Sequence, residues 1–197
     1  MSSLKMYNFA PKLRGKKLPD GFTVVKYKGE EDIPAWCEIC SDGLVDPATA
    51  EERFYNELTK LDGPDPMRDT YFIEKDGKKI ATYTAVPNMW STGMGYIHMV
   101  AVKSEYRGFG LGSFIADDCL NKLMEIGKDK IFLLTGDKRE AALSTYIKAG
   151  FLPVNYIDDE GKDMVERWQN IVNNLNLPSL DLLDNEGNFY MTLKPNK

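Results

Sequence analysis

The sequence predicts a mixed α/β (α+β) fold in which a mainly antiparallel sheet of about seven strands is flanked by helices, with residues 1–197 as a single domain. Three observations predict it. Two β-rich runs, Tyr71–Lys75 and Lys79–Val86, are separated by Asp76-Gly77, the strongest short-range hairpin signal in the chain. A further strand is expected over about 94–103, with Tyr96, His98, Val100 and Val102 on one face and Ile97, Met99 and Ala101 on the other. After glycines 108, 110 and 112 the period becomes helical, with Leu111, Phe114, Ile115, Cys119, Leu123 and Ile126 recurring until Gly127.

The remaining elements follow in order. Residues 1–19, with Pro11, Gly15 and Pro19 among lysines, read as an extended arm before a first strand at about 21–28. Glu31, Asp32 and Pro34 open a helix over about 32–41, and a second helix begins after Asp46-Pro47, carries Phe54 and Leu58 on one face, and stops at Gly63-Pro64. Strands are expected at about 130–135, 151–157 and 188–193, and helices at about 139–149 and 162–175. The tail beyond 158 holds Arg167-Trp168, read as a cover over an acceptor site or as a homodimer contact.

Composition excludes several function classes. Hydrophobic residues make up 43% and charged residues 28%, as in an ordinary globular protein. A formal charge of −5 argues against a nucleic-acid partner, because phosphate binding needs a concentrated basic surface. There is no apolar run of signal-peptide or membrane-spanning length, so a cytoplasmic protein without a membrane partner is expected. Charge is unevenly spread: residues 29–69 hold twelve acids against three bases, a block that reads as a solvated helical face or as an attractant for a cationic substrate. Cys37 and Cys40 form a C-x-x-C spacing, but inside the first helix rather than at its start, which disfavours redox chemistry. With one histidine and no second cysteine pair, no metal is expected.

The segment Arg107-Gly108-Phe109-Gly110-Leu111-Gly112-Ser113 places three glycines at a helix start, where backbone N–H groups lack intrahelical partners and face the positive end of the dipole. Such a turn suits an anion. It lacks both the Lys-Ser/Thr ending of a P-loop and the first step of G-x-G-x-x-G.

What stands there is R-x-x-G-x-G, through Arg107, Gly110 and Gly112. A second motif follows, with Ala142, Tyr146, Gly150 and Phe151 spaced as in N-x-x-A-x-x-x-Y-x-x-x-G-F and Arg139 in place of the asparagine. From about Met94 to Phe151 the sequence thus resembles the GNAT superfamily of N-acetyltransferases, whose pyrophosphate loop is Q/R-x-x-G-x-G/A. The resemblance implies the GNAT fold, with acetyl-CoA as co-substrate. It implies direct acetyl transfer to a primary amine, carried by a small molecule or a peptide and compatible with a cationic one. By the same resemblance, amides of Gly108, Phe109, Gly110, Leu111, Gly112 and Ser113 hold the pyrophosphate of coenzyme A. A Val100 N–H bonds the acetyl carbonyl, Ala101 and Val102 run along the pantetheine, and Arg139 and Ala142 stand at the family's arm-contacting positions.

Amide formation also needs proton handling. Tyr146 is the implied general acid, since a phenol is protonated at neutral pH and can return its proton to a departing thiolate. An amine of pKa near 10 is almost wholly protonated at pH 7, and freeing it costs about 4 kcal/mol, which makes a base useful. His98 is the best-placed candidate, at an offset resembling that of serotonin-type arylalkylamine N-acetyltransferases; Tyr96, Glu105 or a water chain are alternatives, and a lone strand histidine is often a satisfied core residue. A catalytically silent acyl-CoA-binding module and an enzyme for a longer acyl chain are the competing readings.

Overall fold

The computed structural model describes residues 3–196. In chain order the elements are β1 (Leu4–Asn8), β2 (Phe22–Lys26), α1 (Ile33–Ser41), α2 (Ala50–Leu58), the one-turn α3 (Pro66–Asp69), β3 (Thr70–Lys75), β4 (Lys78–Val86), β5 (Gly95–Val102), α4 (Leu111–Glu125), β6 (Ile131–Thr135), α5 (Glu140–Lys148), the two-residue β7 (Leu152–Pro153), α6 (Val165–Asn174), β8 (Leu180–Leu183) and β9 (Phe189–Leu193). They fall into two compact units, one of residues 13–129 and one formed by the described residues up to 12 together with those from 130 onward. Four sheet strands in the first unit and three in the second give the mixed α/β class that the sequence predicts. Among the described residues no helix is long and apolar enough to cross a membrane.

In the unit of residues 13–129 the strands run β2-β3-β4-β5, each pair antiparallel. Asp76 and Gly77, both at positive φ, turn β3 into β4 as their sequence requires. Helices α1 and α2 cover one face. Pro34 sits in the first turn of α1, and the helix buries Ile33, Trp36, Ile39 and Cys40 against Phe54 and Leu58 of α2, Tyr27, and Phe72 and Ala101 of the sheet. Each large side chain so buried contributes about 2 kcal/mol. The opposite face meets α4, where Tyr83 donates to Asp118 at 2.5 Å and Lys122 stands 4.3 Å from the Tyr71 ring centre. Burial pushes the Cys37 and Cys40 thiols up, so neither is readily ionised.

The stretch expected as an extended arm is tied down at two places. Residues 4–8 are strand β1, buried and paired antiparallel with β6 on one side and β7 on the other. Alternation is hidden there because Leu4, Met6, Tyr7 and Asn8 are all buried, the mark of a strand covered on both faces. Further on, the buried Asp117 of α4 accepts from the backbone N–H of Arg14 (3.0 Å) and of Lys16 (3.0 Å) and pairs with Arg14 Nε (2.7 Å), while Arg14 Nη2 donates to the Ser113 carbonyl.

In the other unit, α5 is held at its C-terminal end by Asn8, whose amide donates to the Ala149 carbonyl at 3.1 Å. β9, counted among the seven strands of the main sheet, instead pairs with β8, a strand absent from the expected elements, in a separate two-stranded sheet. Trp168 of α6 is fully buried and donates to the Val154 carbonyl, and Arg167 pairs with Asp137. Trp168 is therefore a core residue, which removes the cover or dimer-contact reading of that side chain.

Replacing Asp117 by Ala strips two backbone N–H groups and one guanidinium of their acceptor. A loss of about 2 kcal/mol in unfolding free energy is expected, read from the urea midpoint, with new proteolytic cleavage between residues 13 and 17.

Candidate active site

The glycine turn sits where β5 hands over to α4. Gly108 and Gly110 adopt φ of 87° and 80°, in the left-handed region. Gly110 is the residue before the first turn of α4, and no side chain caps the helix there. The N–H of Phe114 already bonds the Gly110 carbonyl, which leaves the N–H groups of residues 111–113 at the exposed helix end with no acid in the first turn to compete for them. An anion fits that end. The turn is braced by Phe22 of β2, whose ring lies 6.4 Å from Tyr106 and 6.1 Å from Phe109.

Arg107 works on the loop itself. Its Nε donates to the Val102 carbonyl at 3.0 Å and its Nη2 to the Asp42 carbonyl at 2.5 Å, with the Asp42 carboxylate 3.4 Å away. Asp42 also accepts the N–H of Ser104 at 2.6 Å; that bond, with Arg107 adding, holds its carboxyl below the usual range. The end of α1 thereby fixes the turn leading into α4. Nothing in the sequence marked Asp42 for this, because the contact spans more than sixty residues.

Strand β5 departs from the expected alternation. Its partners in β4 run Ala81↔Val102 and Thr82↔Ala101, then jump to Thr84↔His98, so that Tyr83 alone stands opposite both Met99 and Val100. This is a β-bulge, with Met99 at φ 47°, a conformation that side-chain-bearing residues seldom take. The extra residue exchanges the faces. Directly opposed residues share a face, and Thr82 and Thr84 lie on the same one, so His98 and Ala101 both face α1 and α2. The expectation that His98, Val100 and Val102 form one stripe is corrected: Val102, opposite Ala81, lies on the other face.

His98 is buried, at 7% exposure. Its Nε2 lies 3.2 Å from Glu57 Oε2 on α2, near enough for an ion pair, yet the approach is off-line and closes no directed hydrogen bond. Glu57 Oε1 is 2.8 Å from Arg53 Nη2, one helical turn back. His98, against burial and with help from Arg53, holds the Glu57 carboxyl below its usual range. A row of rings leads outward from the imidazole: Tyr96 lies 4.9 Å away, and Trp90, 45% exposed, lies 5.8 Å from Tyr96. Trp90 and Ser91 both sit at positive φ, held by bonds from the Trp90 N–H and the Ser91 hydroxyl to Asp62. Glu105 is exposed in the turn after β5. Glu57 was missed by the sequence reading, where it was one acid of twelve.

Tyr146 lies in the other unit, on α5, buried at 8% exposure with its ring edge-on to Phe151 at 5.9 Å. Arg139 is exposed at the start of that helix, where its carbonyl accepts the N–H of Leu143, and Ala142 is half-buried one turn before Tyr146.

The sequence model of the Acetyltransferase (GNAT) family matches residues 33–151, well over half of the chain. The chain belongs to the GNAT acetyltransferase family. Its relatives include the mycothiol acetyltransferase of Tsukamurella paurometabola, 30% identical over 148 residues covering 68% of this chain and 49% of the relative. N-alpha-acetyltransferase 30 of Saccharomyces cerevisiae is 38% identical over 58 residues, 29% of this chain and 33% of that one. This GNAT chain thus spans half or less of the length of these relatives. Solved structures with the same fold include an acetyltransferase of the GNAT family from Colwellia psychrerythraea, with a TM-score of 0.59 at 15% identity over 78% of this chain and 53% of that one. Another is the ribosomal-protein-S18-alanine N-acetyltransferase of Escherichia coli, with a TM-score of 0.53 at 17% identity over 72% and 88%. The GNAT fold expected from the two motifs is the fold observed.

The glycines of the turn separate by conformation. Gly110→Ala forces a methyl-bearing residue to φ 80° and is expected to cost about 1 kcal/mol, whereas Gly112→Ala, inside α4, is expected to be neutral or to gain up to about 1 kcal/mol; thermal unfolding of the two variants reads the difference.

Proposed function

We propose that this chain is an N-acetyltransferase that moves the acetyl group of acetyl-CoA to a primary amine by direct attack through a tetrahedral intermediate. The observation that carries the reading is the uncapped start of α4 behind Gly108 and Gly110, where a pyrophosphate finds backbone donors and no competing acid. In this reading the amides of residues 108–113 hold the pyrophosphate, and Arg107, tied to Asp42 and Val102, keeps the turn in shape. Arg139 and Ala142 lie along the pantetheine arm. The bulge in β5 supports a backbone role for residues 100–102: it takes Val100 out of the regular ladder, so its N–H serves to polarise the acetyl carbonyl, while Ala101 and Val102 align the arm.

The amine nitrogen then attacks the thioester carbonyl carbon, and its proton passes to His98. Collapse of the intermediate breaks the C–S bond, and Tyr146 protonates the leaving thiolate to give the CoA thiol and the amide. No metal is required. Relatives named for mycothiol and for N-alpha acetylation support a small-molecule or a peptide amine as acceptor. Exposed Trp90 and the acids of α2 make a cationic acceptor the preferred class.

The test is thiol release from acetyl-CoA across polyamines, arylalkylamines, aminoglycosides, amino acids and peptides. For the amine that turns over, Tyr146→Phe is expected to lower kcat about 100-fold while acetyl-CoA affinity stays within a few fold. Binding of acetyl-CoA without thiol release from any amine favours a silent binding module, and absence of binding overturns the reading.

A further inference from the structure

The role left without a residue in this scheme is support for the base. We infer that Glu57 is a positioning residue: its carboxylate, braced by Arg53, orients the His98 imidazole and stabilises the imidazolium that forms when His98 takes a proton from the acceptor's nitrogen. This rests on the acetyl-transfer reading.

Both carboxylate oxygens of Glu57 are engaged, Oε1 by Arg53 and Oε2 by His98, so the group is built to hold a ring and not to bind a substrate cation directly. A buried imidazole gains a proton only at a desolvation cost, and an anion 3.2 Å from Nε2 offsets it. With the proton on Nε2, beside the carboxylate, Nδ1 keeps its lone pair and is the atom left to accept the acceptor's proton. The off-line contact is of the kind that tightens when substrate binds. Around the ring stand Glu57 of α2, with Arg53 behind it, and Tyr96 of β5; opposite His98 on β4 is Thr84, whose hydroxyl is hydrogen-bonded with that of Thr70 of β3 at 3.0 Å. Asp69, next to Thr70, is taken up by Arg68 at 2.6 Å. The depressed Glu57 carboxyl fits this geometry: the carboxylate stays charged throughout the range in which a histidine titrates.

Glu57→Gln keeps the size of the side chain and an oxygen for Arg53 but removes the charge. In the full chain, kcat for the active amine is expected to fall about 10-fold or more with KM within about twofold. Loss of the anion makes the ring harder to protonate, so the acid limb of kcat/KM moves to lower pH, and Glu57→Asp restores part of the rate. The chain has one histidine, so a single imidazole NMR signal reports His98 without any turnover, and its titration is expected to move to lower pH in Glu57→Gln. A titration and an acid limb both unmoved in Glu57→Gln overturn the inference, as does an unchanged kcat. A signal that moves while no amine supports thiol release overturns the acetyl-transfer reading and the catalytic role with it, leaving only the ion pair.

Discussion

Tyr83 of β4 is opposed by two residues of β5, and that single mismatch sets most of what surrounds it. An inserted residue interrupts the regular exchange of backbone hydrogen bonds, so main-chain groups become available just before the chain turns toward α4. It also reverses which side chains face the helices beyond it. His98 reaches Glu57 of α2 from one side of the bulge, and Ala101 packs beneath α1 and α2 from the other. Holding Met99 at positive φ costs energy, and the surrounding core supplies it: Met99 packs against the cluster built on Trp36, Phe54 and Phe72.

Aspartates do much of the remaining positioning, each by collecting donors from distant parts of the chain. Asp32 accepts from the Lys28 N–H and from Lys79, Asp42 from Ser104 and Arg107, and Asp117 from Arg14 and Lys16. Asp32, Asp69 and Asp117 are buried, where an unpaired carboxylate could not stand; each is matched to a cation and to backbone N–H groups or both. The acidic block of residues 29–69 is accordingly a mixed population. Asp32, Asp42, Asp46, Asp65 and Asp69 bond within the fold, and Glu57 stands 3.2 Å from His98, so net acidity alone overstates what is left to attract a substrate.

Chemistry at the glycine turn and chemistry at His98 depend on different physics. The turn relies on backbone dipoles and left-handed glycines, features indifferent to side-chain identity and robust to pH. His98 and Glu57 rely on charge in a poorly solvated place, where one proton changes the interaction and where the Tyr96 ring lies 4.9 Å from the imidazole. In the proposed reaction the first holds the acyl donor and the second prepares the acceptor.

The sequence by itself determined what depends on neighbours in the chain. Asp76-Gly77 dictates a hairpin, Pro34 and the apolar spacing of Trp36 and Cys40 dictate α1, and Gly108 and Gly110 dictate a left-handed approach to α4. The two motifs also carried the family, because their spacing along the chain is itself the signal. Tertiary structure decided the rest. β1 is illegible because a strand buried on both faces has no period to read, and the partner of β9 is illegible because β8, at four residues, is too short to show one. The bulge was invisible since an alternating sequence looks the same whether or not its partner strand skips a residue, and the Glu57–His98 pair was invisible since nothing in sequence distinguishes one helix acid from its neighbours. Register and long-range pairing are set by packing over tens of residues, and no local propensity encodes them.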